Sequence, residues 1–188
     1  MTLLPVLETQ RLRIRPFSLD DLEPSKRFLD YADDERRAYL EWSKMNYNLL
    51  GWLRQPPYGD RGVELRASGE LIGVVGYVPY LIKLDLLPGY QELPCEPEAC
   101  CSTAAVGLYY AIAPDHRLHR YASEAAGAMI DYAFKNLRLD QIVATTDHNN
   151  LGSQGVMRRL GMRILRNPHP EPPWLQVVGV LNNDNCRS

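Results

Sequence analysis

The stretch that most constrains this chain is the passage from Val106 to Leu137. Val106–Ile112 is almost entirely apolar, as expected for a central strand covered on both faces. A short polar turn follows, Ala113-Pro114-Asp115-His116-Arg117-Leu118-His119-Arg120. Beyond it Ala122, Ala125, Ala126, Met129, Ile130, Ala133, Phe134 and Leu137 recur at steps of three and four, the strongest helical period in the sequence. A strand that passes through so tight a turn into a long helix aims several backbone N–H groups at one spot, backed by the positive end of the helix dipole. Such a place suits phosphate or pyrophosphate, and Arg117, His119 and Arg120 add positive charge to it. The small residues Ala122, Ala125 and Ala126 let the helix lie close to a sheet. The turn carries neither a P-loop nor a G-x-G-x-x-G pattern. Taken by residues alone, it reads equally as a plain strand–turn–helix crossover whose basic side chains are solvated.

The remaining segments set this passage in an α/β frame. Leu12 and Ile14 alternate with Arg11, Arg13 and Arg15, the period of a half-buried strand, which Pro16 ends. Ser18 followed by Asp21 marks a helix start running towards Leu29. Tyr39, Leu40, Tyr47, Leu50 and Leu53 fit a helix from about Asp34 to Leu53, stopped by Pro56, Pro57 and Gly59. Val63 and Leu65, the turn Ser68-Gly69-Glu70 and the run Leu71–Tyr80 read as a hairpin. Residues 81–103 show no sustained period and carry Pro88, Gly89, Pro94 and Pro97, so a loop-like insertion is expected there. Gln141–Thr146 reads as a strand, Ser153–Leu160 as a short helix and Trp174–Leu181 as a closing strand. Alternating strands and helices behind an antiparallel hairpin give an α/β fold in one domain over residues 1–188.

Composition narrows the function. A chain of 188 residues, 45% hydrophobic and 23% charged, can bury a core of its own. Its net charge of -2 argues against a nucleic-acid binder, which shows a basic face. Glu8, Arg11, Arg13 and Arg15 interrupt the N-terminal segment before an apolar run forms, so no signal peptide is read, and no stretch approaches the roughly 20 apolar residues of a membrane span. A soluble, cytoplasmic protein is expected. Cys95, Cys100, Cys101 and Cys186 match no zinc spacing and read as free thiols, with no metal.

The strand–turn–helix passage resembles the acyl-CoA loop of the GNAT N-acyltransferases, whose consensus is Gln/Arg-x-x-Gly-x-Gly/Ala. Arg117 matches its first position and Ala122 its last. Tyr121-Ala122-Ser123-Glu124-Ala125 is similar to a run of the RimJ/RimL-type branch, that of ribosomal-protein-alanine acetyltransferases. Three further stretches resemble that branch in order: Glu8–Phe17 its first strand, Gly69-Glu70-Leu71-Ile72-Gly73 its hairpin, and Asn150-Leu151-Gly152-Ser153 with Val156–Met162 its Asn-x-x-Ser element and following helix. Two positions depart from it: Arg120 stands at the consensus glycine, and Leu118 replaces another glycine common in the branch. Glycine there permits close approach of the backbone and a positive φ.

The resemblance implies a GNAT-type mixed central sheet flanked by helices, with an antiparallel N-terminal hairpin and splayed parallel central strands. It implies acetyl-CoA as co-substrate and a primary amine as acceptor, either a protein N-terminus or a small molecule, with no nucleic acid or membrane as partner and with room for a homodimer. Ala111, Ile112 and Ala113 would flank the pantetheine arm. Arg117, Leu118, His119, Arg120, Tyr121 and Ala122 would hold the pyrophosphate. Asn150 would contact the arm, and Ser153 would lie near the departing sulfur as a general acid; by residue type alone, both read as helix caps. Ala105 stands where the branch often has a glutamate. Glu171, ahead of the last strand, is therefore the candidate base, with Tyr109, Tyr110, Glu64 and His148 as alternatives and a solvated loop carboxylate as its plainer reading. Asp30, Asp33, Asp34 and Glu35 form an acidic cluster that would draw a cationic acceptor or simply face solvent. Trp42, Trp52 and Trp174 would line an apolar pocket or pack in the core. Two other functions fit the same residues: a non-catalytic acyl-CoA-binding or regulatory protein on this scaffold, and an unrelated nucleotide-phosphate binder.

Overall fold

The computed structural model of the chain describes residues 5–56, 58–91, 96, 98–169 and 171–184. Among these described residues, eight strands and four α-helices succeed one another. They are β1 (Leu7–Glu8), β2 (Leu12–Pro16), α1 (Leu22–Ser25), α2 (Asp33–Trp52), β3 (Arg61–Leu65), β4 (Leu71–Ile82), β5 (Thr103–Ile112), α3 (Tyr121–Lys135), β6 (Gln141–Thr146), α4 (Leu151–Arg159), β7 (Arg163–Arg166) and β8 (Val177–Asn182). The strands form a mixed sheet in the order β1-β2-β3-β4-β5-β6-β8-β7. Its N-terminal members pair antiparallel, and β5 pairs parallel with β6, with Gly107 opposite Val143. This is the mixed α/β arrangement that the resemblance implies.

The described residues fall into two compact units. The first takes those up to Tyr77 with Tyr109–Leu137, and the second takes Val78–Leu108 with those from Arg138 onward. In the first, the alternation of β2 works as expected: Leu12 and Ile14 are fully buried while Arg11 and Arg13 face solvent. Each such aliphatic side chain contributes about 1.5–3 kcal/mol on burial. Phe17, Leu29, Leu40, Leu71 and Val74 make a core against which Tyr39 and Tyr109 pack. Arg15 clamps this corner with two bonds of 2.8 Å to Asp21, and its Nε donates to Glu64 at 2.7 Å. Helix α2 buries Arg36, Leu40, Ser43 and Leu50, a narrow stripe that turns Trp42, Met45 and Trp52 outward.

In the second unit β8 lies between β6 and β7, antiparallel to both. Its core gathers Ile82, Leu84, Leu87, Val143, Leu165, Leu175, Val178 and Val180. The segment expected to be loop-like begins beyond Ile82, the last residue of β4. Leu84 and Leu87 within it are fully buried, so two apolar side chains without periodic spacing pin it to the core. Cys95, Pro94 and Pro97 lie outside the described residues, as do Cys186, Pro57 and Pro170; Cys100 is buried and Cys101 exposed. Several boundaries shift from those expected: α1 ends at Ser25 rather than running towards Leu29, and β5 opens at Thr103 rather than Val106. α2 opens at Asp33, α3 ends at Lys135, α4 opens at Leu151, and Trp174 sits in a 3-10 turn before β8 rather than in the strand. The short strands β1 and β7 were not legible, because two and four residues give too little period to read.

Candidate active site

The turn between β5 and α3 has an unusual backbone. Pro114–His116 makes a 3-10 turn, the Ala113 N–H donates to the Ile72 carbonyl at 2.9 Å, and Arg117 is extended. Leu118 and Arg120 then both adopt φ +66, and Arg120 in this left-handed conformation caps α3. These are the two positions where the family pattern has glycine. An L-residue incurs about 1–2 kcal/mol in this region, so the turn keeps a glycine-type path at a cost. Successive backbone N–H groups in turns of this kind make a concavity that suits an anion. Among the described residues, no backbone carbonyl accepts from the N–H of Leu118, His119, Arg120, Tyr121 or Ala122. The first N–H groups of α3 share this side of the helix and its dipole.

The side chains leave that concavity open. Leu118 projects wholly into solvent and Arg120 is exposed. Arg117 folds back so that its Nε donates to the Ile112 carbonyl at 3.1 Å. His119 lies 2.8 Å from the Arg117 carbonyl through Nδ1, and its ring stacks on Tyr121 at 5.7 Å. The Arg11 guanidinium stands 4.6 Å from the centre of the same tyrosine ring. His116 and Arg27 both meet Glu70, at 3.2 and 2.7 Å, which ties the turn to the β3–β4 hairpin.

Glu124 explains two of the family-like runs at once. Thr9 Oγ1 donates to it at 2.6 Å, the Arg11 N–H at 3.0 Å, and the Arg11 guanidinium at 2.7 Å through both Nε and the terminal nitrogen. Burial works against its charge, but these donors outweigh it and hold the carboxyl below the usual range. The loop helix is thus fastened to the β1–β2 hairpin. Sequence reading picked out Thr9, Arg11 and Glu124 as members of separate runs and gave no sign that they are partners, since 113 residues separate Arg11 from Glu124.

In the second unit, Asn150 caps α4, its Oδ1 accepting from the Ser153 N–H at 3.0 Å. The half-buried Ser153 sits in the first turn. Glu171 is exposed, and its carbonyl accepts from Asn167 at 3.2 Å. His148 is exposed and stands 3.3 Å from Arg166. Of the other candidates, Glu64 is held between Arg13 and Arg15. Burial, with Tyr31 and Asp60 nearby, pushes the Tyr109 hydroxyl up to about 12. Trp42, Trp52 and Trp174 are all exposed, so none is a core residue.

One titratable group escaped sequence reading altogether. Asp60, immediately before β3, is 8% exposed. Its Oδ2 accepts from the Tyr39 hydroxyl at 2.6 Å, whereas Oδ1 is sealed without a hydrogen-bond partner among the described residues. Gly76 on β4 makes the room: a Cβ there would stand 2.1 Å from Oδ1. Desolvation raises the carboxyl's pKa, and the single bond from Tyr39 only partly offsets it. A lone aspartate after Pro-Pro-Tyr-Gly carries no motif, and only its burial marks it.

Fold and site together define an α/β protein whose β5–α3 turn keeps a glycine-type backbone path at the N-terminus of α3. The sequence profile of the acetyltransferase (GNAT) domain matches residues 11–163, and the chain belongs to that family. It is 27% identical over 168 residues to the N-acetyltransferase YoaA of Bacillus subtilis, covering 85% of this chain and 83% of that one. In structure it resembles the ribosomal-protein-S5-alanine acetyltransferase of Vibrio fischeri, with a TM-score of 0.64 at 14% identity over 96% and 98% of the two chains. It also resembles the ribosomal-protein acetyltransferase RimL, solved in complex with coenzyme A, with a TM-score of 0.59 at 14% identity over 96% and 99%. Among the described residues, no helix is long and apolar enough to cross a membrane, and no group of three His, Cys, Asp or Glu residues could hold a metal.

Proposed function

We propose that the chain is an N-acetyltransferase that moves the acetyl group of acetyl-CoA to a primary amine, acting as one domain. The observation that carries this reading is the turn at Leu118–Ala122, whose N–H groups meet no backbone carbonyl among the described residues and whose backbone keeps positive φ at Leu118 and Arg120 despite their side chains. Residues held in this sparsely populated region cluster at ligand-binding turns, which favours a path that is itself used. Those N–H groups and the α3 dipole receive the pyrophosphate, with Arg117, His119 and Arg120 supplying charge. Ala111–Ala113 flank the pantetheine arm, and a backbone N–H of that strand stabilises the oxyanion formed as the amine attacks the thioester carbonyl. Asn150 contacts the arm, and Ser153 donates a proton to the departing thiolate. Direct attack needs no covalent enzyme intermediate, so neither Cys100 nor Cys101 has a part. Glu171, the base candidate on the sequence, offers a carboxylate in open solvent. The N-terminal amine acceptors of the ribosomal-protein relatives are one acceptor class and small amines the other.

Calorimetric titration with acetyl-CoA tests this, with Arg117→Ala and ATP as controls. Micromolar binding that weakens in Arg117→Ala, with ATP binding more weakly, supports the reading. No binding at millimolar acetyl-CoA by folded protein overturns it. Binding without acetylation of any amine in a broad panel would favour a non-catalytic acyl-CoA-binding protein instead.

A further inference from the structure

Asp60 lies beneath a group of aromatic rings. The Tyr31 and Tyr39 centroids are 5.8 Å apart, those of Tyr39 and Trp42 6.2 Å apart, and Tyr31 and Trp42 are each about half exposed. Tyr109 of β5 is within electrostatic reach of both Tyr31 and Asp60. Two exposed carboxylates near Tyr31 in the chain, Asp30 and Asp34, take part in no ion pair among the described residues. Open π faces backed by negative charge recognise an ammonium group. The groups facing Asp60 are Tyr39 and Tyr47 of α2, the latter donating to the Asp60 carbonyl, and Tyr109 of β5. Arg61, its neighbour on β3, sends its guanidinium to the Pro5 carbonyl at 3.0 Å and the Tyr132 ring at 5.0 Å instead. Asp21 is taken by Arg15. No cation among the described residues neutralises Asp60, although burial makes its charge costly.

Resting on the acetyl-transfer reading, we propose that the acceptor is a cationic amine whose ammonium is received by Tyr31, Tyr39 and Trp42, and that Asp60 takes, through the Tyr39 hydroxyl, the proton this ammonium must lose. The N–H bond of the ammonium breaks and its proton passes to Tyr39 Oη. The hydroxyl's own proton moves along the 2.6 Å bond to Asp60 Oδ2. The amine keeps the electron pair and becomes the nucleophile, while Asp60 ends as the neutral acid, the form its burial favours. Asp60 acts through Tyr39 and is a positioning and proton-holding residue. Glu171 is then unnecessary as the base. A sealed Oδ1 over Gly76 has a clear place in this scheme: a carboxylate given a second donor would hold its proton less well.

The test uses the full chain and two probes of one shape, choline and its neutral isostere dimethylbutanol, titrated calorimetrically beside acetyl-CoA. Choline is expected to bind at least about fivefold more tightly than the isostere. Asp60→Asn, which keeps an acceptor for the Tyr39 hydroxyl, is expected to abolish that preference and leave acetyl-CoA affinity unchanged. Its unfolding midpoint should equal or exceed that of the parent at pH 8, and the gap should close as the pH falls towards 4, where both side chains are neutral. Equal binding of the two probes, absence of choline binding, or a preference that survives in Asp60→Asn overturns the proposal. So does an Asp60→Asn protein that is less stable at every pH, the mark of a structural carboxylate. Failure of the acetyl-CoA arm alone would remove the transfer reading and leave the cation site standing.

Discussion

Glu124 and Asp60 are carboxylates of the same compact unit, and their surroundings drive them in opposite directions. Glu124 collects hydrogen bonds from Thr9 Oγ1, the Arg11 N–H and the Arg11 guanidinium, and its acidity is strengthened. Among the described residues Asp60 has one side-chain donor, no cation and a sealed second oxygen, and its acidity is weakened. The first arrangement is what a fastening needs, because each bond is charge-assisted and the pair holds a helix to a hairpin. The second has no value as a fastening, since an underpaired buried carboxylate destabilises the fold. A buried carboxylate whose acidity is weakened, with little structural gain to set against it, is a candidate for a group kept for chemistry.

The widest separation between the two should appear in activity. On an amine accepted by the protein, Asp60→Asn is expected to lower the acetyl-transfer rate at pH 7 by about a hundredfold or more, the usual worth of a positioned proton acceptor. Tyr39→Phe should follow it, whereas Glu171→Gln should stay within about twofold if that carboxylate only faces solvent. In the parent the rate should rise with pH through the raised Asp60 pKa, and this limb should vanish in Asp60→Asn. A large loss in Glu171→Gln with Asp60→Asn unaffected would reverse the assignment. Initial rates followed by thiol release across pH 5–9 decide it.

Stability should rank the same residues the other way. Glu124→Gln is expected to cost about 1.5–3 kcal/mol, the range for hydrogen bonds to a charged group, read from urea unfolding. The sign with pH follows from the depressed pKa: the contribution is complete above the unfolded value for glutamate and is lost as the pH falls through the lower folded value. The parent should therefore converge on Glu124→Gln below about pH 4. Asp60 runs the other way, its penalty growing as the pH rises from the unfolded value to the raised folded one. If Glu124→Gln proved harmless, the fastening between α3 and the first hairpin would not be what holds the loop helix.

How much of this was legible in the sequence depended on range. The period of three and four from Ala122 placed α3, and Gln141–Thr146 is β6 residue for residue, because local pattern decides both. The turn proposed to bind the pyrophosphate was legible as residue types next to a helix start. Its positive φ values were not, since Leu118 and Arg120 have no intrinsic preference for that region. Leu84 and Leu87 looked like loop residues until tertiary packing claimed them. Asp60 was invisible for the same reason: its character comes from Tyr39, 21 positions earlier, and from a glycine on the neighbouring strand, and neither follows from the dipeptide Gly59-Asp60.

The smallest expected effect bears on the turn itself. Arg120 holds φ +66 at the cap of α3, where glycine would carry no Cβ penalty. Arg120→Gly should therefore stabilise the protein by about 1 kcal/mol, measured by urea unfolding. The gain is net of the extra freedom glycine brings to the unfolded chain, which keeps it small. Acetyl-CoA binding separates the two things Arg120 supplies. If only its backbone N–H is used, affinity is unchanged or improved in Arg120→Gly. If its side chain also meets a phosphate, affinity falls and the loss fades as salt is raised. A destabilised Arg120→Gly would mean the left-handed cap is held by the arginine side chain rather than endured by it, and the turn would then be a structural cap before it is a binding loop.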